Sequence, residues 1–146
     1  MTKARASRPL HRFRKGGIVA RIVAIEDSPV LQRLLAITMR DTDVEIEAYL
    51  DGFGGLEAAL ADPPDLIVLD LGLPDLSGWQ VLERLRSEPQ TLATPVVITT
   101  GETRGSTADR AATFDAVTLE KPYTGAVLRS TIAILIETRS VAGSLP

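Results

Sequence analysis

Five side chains in this sequence could do chemistry together: Glu26, Asp27, Asp70, Thr100 and Lys121. Asp70 closes an apolar run, Leu66 to Leu69, that reads as a strand buried on both faces. Turn residues follow it at Gly72, Pro74, Ser77 and Gly78. Glu26-Asp27 closes a Val- and Ile-rich run from Ile18 to Ile25, Thr100 closes Val96 to Thr100, and Lys121 follows Ala116 to Leu119. Each has an ordinary reading by itself. An Asp at a strand end caps a loop, an acidic pair opens a solvated helix, and a strand-end Thr reflects β-propensity. Taken jointly, three carboxylates drawn together repel one another and need a counter-charge. Lys121 offers one positive charge and a divalent cation offers two. An all-oxygen set without His or Cys favours Mg²⁺ over zinc, and Mg²⁺ keeps waters and takes phosphate oxygens.

Whether the five meet depends on the elements that carry them. Ser28-Pro29 after the acidic pair suits a helix cap and first turn, and the apolar stripe Val30, Leu31, Leu34, Leu35, Ile37 carries that helix to about Arg40. Val44 to Leu50 alternates in a way that predicts an exposed or edge strand. A short helix opens at Asp51-Gly52 and is stopped by Asp62-Pro63-Pro64. Further helices are predicted over Trp79–Arg86, Thr107–Thr113 and Thr124–Thr138. Strands and helices thus alternate five times with short connections, the pattern of a parallel sheet covered on both faces. In such a fold the carboxyl ends of all strands share one edge, where open α/β sheets hold their ligands. The acids, the hydroxyl and the amine are expected at that edge.

Composition bounds the rest. A chain of 146 residues with 45% hydrophobic content suggests one globular domain. It has no cysteine, which removes disulfides and thiolate metal sites. Its 4% aromatic content argues against a base-stacking nucleic-acid surface. Seven Lys or Arg fall within residues 1–21, which leaves nine bases against 19 acids in the remainder. That acidic body should repel a polyanion. We divide the chain into a basic tail without regular structure (1–17), a domain (18–139) and a frayed end (140–146). No apolar run is long enough to span a membrane, and the segment Gly16 to Ile25 makes a poor signal peptide, so a cytoplasmic location is expected.

In order and spacing, Glu26-Asp27-Ser28, Asp70 with Leu73-Pro74 and Gly78 behind it, Thr100-Gly101 and Lys121-Pro122 resemble the receiver domain of two-component response regulators, the family of the stand-alone chemotaxis regulator. The resemblance covers about residues 20–138. It implies a flavodoxin-like, doubly wound α/β fold, with five parallel strands in the order 2-1-3-4-5 and five helices. It implies that Asp70 accepts a phosphoryl group from a histidine kinase or histidine phosphotransfer protein. Mg²⁺ would be held by Glu26, Asp27, Asp70 and the backbone carbonyl of Gly72. Thr100 would bind a phosphoryl oxygen, and Lys121 would pair with the phosphoryl charge. Output would pass through the face made by the fourth helix, fifth strand and fifth helix. The sequence departs from the family at Thr118, where an aromatic switch residue is usual, and at Thr113-Phe114-Asp115, where a glycine-containing turn is usual; Tyr123 stands where Phe is common.

The expectation is a single-domain response regulator that signals through protein contact and not as a classical enzyme, with no DNA-binding module and a homodimer left open. A phosphorylation-independent adaptor with the same fold is the alternative. A Mg²⁺-dependent hydrolase of outside phosphoesters is a third reading, for which the sequence offers no additional base.

Overall fold

A computed structural model describes residues 12–14, 17–101 and 105–144. The elements run β1 (Arg12–Arg14), β2 (Gly17–Ile25), α1 (Pro29–Thr38), β3 (Val44–Tyr49), α2 (Gly52–Ala61), β4 (Leu66–Asp70), α3 (Gly78–Ser87), β5 (Val96–Thr100), α4 (Gly105–Thr113), β6 (Ala116–Glu120) and α5 (Gly125–Ser144). Five parallel strands lie in the order β3-β2-β4-β5-β6, which is the expected 2-1-3-4-5 once β1 is set aside. The fold is flavodoxin-like.

The strand sequences dictate this arrangement. Both β4 and β5 are buried along their whole length, as central strands must be when helices cover both faces. Alternate residues then supply two cores. Val23, Ile25, Ile67, Leu69 and Ile98 pack with Ala59 of α2, Val81, Leu82 and Leu85 of α3, and Ala111 of α4. Ile22, Ala24, Leu66, Val68 and Val97 pack with Leu35 of α1, Met39 at its C-cap, and Leu128 and Ile132 of α5. The edge position expected for β3 is observed: its only strand partner among the described residues is β2.

Three features differ from expectation. Most of residues 1–17 lies outside the described residues, but Arg12–Arg14 forms a strand, antiparallel to Gly17–Val19. Alternation in Arg12-Phe13-Arg14 is too short to register as a strand pattern. At the other end α5 continues to Ser144, beyond the expected stop at Thr138, because no proline follows until Pro146. The third is Arg21, which sequence composition groups with the basic head. Its side chain is buried at the start of the parallel sheet, where Nε and Nη2 donate to the two Glu47 carboxylate oxygens at 2.7 and 2.5 Å.

The turn before β6 solves the missing glycine in its own way. Asp115 adopts φ 53°, the left-handed region, which Asp tolerates better than most residues.

Candidate functional site

The β2–α1 junction places the first two acids. Ser28 caps α1, its Oγ accepting from Leu31 N–H, and Pro29 occupies the first turn. Ser28 N–H also donates to Glu26 Oε2 at 3.3 Å, which draws the Glu26 carboxylate back over the loop. Glu26 is buried and Asp27 is exposed. Asp70, also buried, ends β4, and its Oδ1 accepts from Gly72 N–H at 3.1 Å. Behind it, α3 approaches very closely. A Cβ at Gly78 would stand 2.6 Å from Leu71 Cα and 2.7 Å from the Asp70 carbonyl oxygen, so this position admits glycine alone without a backbone shift.

The three carboxylates offer oxygen atoms that all lie within 4.8 Å of one another. Lys121, at the end of β6, reaches across to them. Its Nζ lies 2.9 Å from Glu26 Oε1 and 3.2 Å from Asp70 Oδ1. The Lys121 backbone N–H is fixed by the Thr100 carbonyl at 2.8 Å, so β5 sets the lysine's position. Thr100 is buried at the same edge. Of the expected site residues, Glu26, Asp70 and Lys121 are thus in direct contact, Asp27 completes the acidic cluster, and Thr100 joins through the backbone.

Electrostatics follow from this crowding. Burial, then the hydrogen bond with Asp70, pushes the Glu26 carboxyl up to about 7, against the opposing pull of Lys121. Asp70 is also penalised by burial, but Glu26, the Gly72 N–H and Lys121 outweigh that and hold it below the usual carboxylate range. Burial works to lower the Lys121 pKa, yet Glu26 and Asp70 keep it raised overall. Asp70 therefore stays ionised, a carboxylate with an ammonium beside it. Glu26 Oε1 is buried and faces the Lys121 ammonium at 2.9 Å. An all-oxygen cluster of this kind suits a hard divalent cation.

Two supporting residues carry no signal in the sequence. Asp75, in the loop after β4, accepts from Gly52 N–H at 2.7 Å and Phe53 N–H at 2.9 Å, capping α2 from outside its own segment. These bonds, Phe53 N–H first, hold its carboxyl below the ordinary value. In sequence it is one more polar loop residue. Gln32 of α1 bonds three backbone carbonyls at the carboxyl ends of β2 and β3.

A parallel five-stranded sheet with this edge cluster has close counterparts. The family model for the response regulator receiver domain matches residues 22–133. The chain belongs to that family. Among curated relatives, the receiver is 37% identical over 95 residues to the transcriptional regulatory protein KdpE of Mycobacterium tuberculosis, covering 65% of this chain and 40% of that protein. It is 34% identical over 106 residues to the DNA-binding dual master transcriptional regulator RpaA of Synechocystis, covering 70% and 43%. The chain therefore spans about two fifths of the length of these relatives. Among solved structures, the signal receiver domain of a LuxO repressor protein from Vibrio parahaemolyticus superposes with TM-score 0.81 at 27% identity, covering 86% of this chain and 95% of that one. The chemotaxis response regulator CheY4 of Vibrio cholerae gives TM-score 0.75 at 25% identity, covering 80% and 98%. No helix of the receiver, among its described residues, is long and apolar enough to cross a membrane.

Proposed function

We propose that Asp70 accepts a phosphoryl group from a histidine kinase or histidine phosphotransfer protein, with Mg²⁺ bound, and that the receiver acts in the cytoplasm by phosphorylation-dependent protein contact. The observation that carries this reading is the Lys121 ammonium set between Glu26 and Asp70 in a cluster that includes Asp27. In the transfer, an Asp70 carboxylate oxygen forms its bond to phosphorus as the bond from phosphorus to the donor atom breaks, and the donor atom leaves with the electron pair. Glu26, Asp27, Asp70 and the Gly72 carbonyl would hold Mg²⁺, which supplies positive charge against the phosphoryl oxygens. Lys121 adds a second, directional charge, and the Thr100 hydroxyl takes a phosphoryl oxygen. The ionised state of Asp70 keeps it ready as the nucleophile.

The product adds charge and acceptor oxygens at the sheet edge. Lys121 follows β6 directly and its N–H is tied to Thr100 of β5, so the consequence reaches α4, β6 and α5. That face is our candidate for target contact.

Intact mass after incubation with Mg²⁺ and acetyl phosphate tests the reading, beside an Asp70→Ala control. A Mg²⁺-dependent gain of one phosphoryl group, absent in the control, is the expected result. No gain across donor concentrations, with no Mg²⁺ binding by calorimetry, overturns it and leaves the constitutive adaptor.

A further inference from the structure

Gln32 occupies an unusual position for a polar residue of α1. Its two Nε2 hydrogens serve three carbonyls, one of them shared: Ala24 at 3.1 Å, Glu26 at 3.2 Å and Tyr49 at 3.1 Å. Three carbonyl oxygens around one end of an amide require that end to be the NH₂ group, so the orientation is fixed by chemistry. The other end, Oε1, is buried and has no hydrogen-bond partner among the described residues. The side chain is thus held by its nitrogen.

The reason lies in how the β2–β3 ladder ends. Glu26 N–H makes the last rung to Tyr49 O at 3.0 Å. Past Tyr49 the chain turns into the Asp51 cap of α2, and the next carbonyl of β2, that of Glu26, takes its bond from Gln32 instead of from a further rung. That carbonyl belongs to the Glu26–Asp27 peptide. Because the peptide is planar, holding its oxygen fixes the outgoing torsion of Glu26 and with it where the Asp27 Cα sits. That placement sets the Asp27 side chain beside Glu26 and Asp70 against the repulsion among the carboxylates.

We propose that Gln32 is the positioning residue of the cation site, locking the Glu26–Asp27 peptide so that Asp27 is held beside Glu26 and Asp70. The proposal rests on the reading of these acids as a Mg²⁺ site. It assigns a role to a neutral side chain that touches no ligand, as outer-shell partners of metal sites do.

Calorimetric titration with Mg²⁺ alone, on the full chain, compares wild type with Gln32→Met, well below the unfolding temperature and with the circular dichroism spectra matched. The expected result is an Mg²⁺ Kd weaker by about tenfold or more. Phosphorylation by acetyl phosphate should recover when Mg²⁺ is raised to saturation. An unchanged Kd overturns the proposal, even if the melting temperature falls, because a merely structural clamp would give that pattern. Should Gln32→Met not fold, amide NMR of the wild type decides: the Gln32 side-chain NH₂ signals should shift with Mg²⁺ alongside the Asp27 amide. Asp27 shifting while Gln32 stays still overturns the proposal. Wild-type protein that binds no Mg²⁺ at all overturns the underlying reading, an outcome distinct from a variant with unaltered affinity.

Discussion

Lys121 Nζ stands 2.9 Å from Glu26 Oε1, and this pair sets the electrostatic state of the whole edge. Lysine here offsets part of the charge of the carboxylate cluster. The Glu26 carboxyl is nevertheless pushed up from 4.5 to about 7, first by burial and then by its hydrogen bond with Asp70. Since the folded-state value exceeds the unfolded one, the metal-free fold holds this proton more tightly than the unfolded chain does. Stability should therefore fall as pH rises from about 4.5 to about 7 and level off above. Mg²⁺ must displace the same proton, so its affinity should rise across that window. Thermal melts without metal and Mg²⁺ titrations between pH 5 and 8, on the order of seven points each, check both trends. Glu26→Gln should flatten both curves.

Removing the lysine tests the counter-charge directly. Lys121→Met leaves Glu26 and Asp70, both buried, facing each other with no cation between them. Breaking a fully buried pair costs about 3–5 kcal/mol, but the Lys121 side chain is 25% exposed, so we expect roughly 1–3 kcal/mol. Millimolar Mg²⁺ should restore part of the lost stability, because a divalent ion replaces the missing charge. Phosphorylation should stay slow even then, since the charge we propose to pair with the phosphoryl group is gone. Denaturant melts with and without Mg²⁺, paired with acetyl phosphate labelling, read the two effects separately. A variant as stable as wild type without Mg²⁺ would contradict the counter-charge role.

Gly78 is a steric test of how Asp70 is held. Its absent Cβ would meet backbone, Leu71 Cα at 2.6 Å and the Asp70 carbonyl oxygen at 2.7 Å, and backbone cannot swing aside as a side chain can. Gly78→Ala should cost about 1–3 kcal/mol, the usual penalty for overpacking. On the proposed reading it should also slow phosphorylation of Asp70, because the atoms that yield belong to that residue's own peptide. Chemical denaturation and the labelling rate at saturating Mg²⁺ measure the two consequences, and a variant with normal stability would contradict the close approach.

The parallel sheet and the edge cluster were legible because strand composition and carboxyl-end residues are local in sequence, whereas the strand order was implied by the family resemblance. Leu66 to Leu69 reads as buried, and Asp70 directly follows it. What stayed hidden is set by partners distant in the chain. Arg21 breaks an apolar run and resembles its basic neighbours, yet it is buried because Glu47, 26 residues on, lies beside it across the β2–β3 ladder. Asp75 gives no cue that it caps a helix that starts 23 residues earlier. Gln32 looks like a solvated helix residue until the end of β3 exposes carbonyls for it to bind. The position of Lys121 was readable from its place after a strand, whereas its contact with Glu26 required the fold.

The remaining prediction concerns α4, which buries only Ala111 and so depends on contacts at its surface. One of these is Arg110, whose guanidinium carbon lies 4.3 Å from the centre of the Trp79 ring on α3. A cation over an aromatic face at an exposed site contributes about 0.5–1 kcal/mol. That is small against global stability but large against the local opening of a thinly anchored helix. Arg110→Ala should raise hydrogen exchange of the α4 amides by about two- to fivefold, the Boltzmann equivalent of that energy, while the β4 and β5 amides are unchanged. Trp79 is the single tryptophan of the chain, so loss of the stacked cation should also alter its emission without a global unfolding signal. Equal exchange in both proteins would mean that Ala111 and the turn at Phe114, bonded through its carbonyl to Arg86 at 2.7 Å, are sufficient to hold the helix.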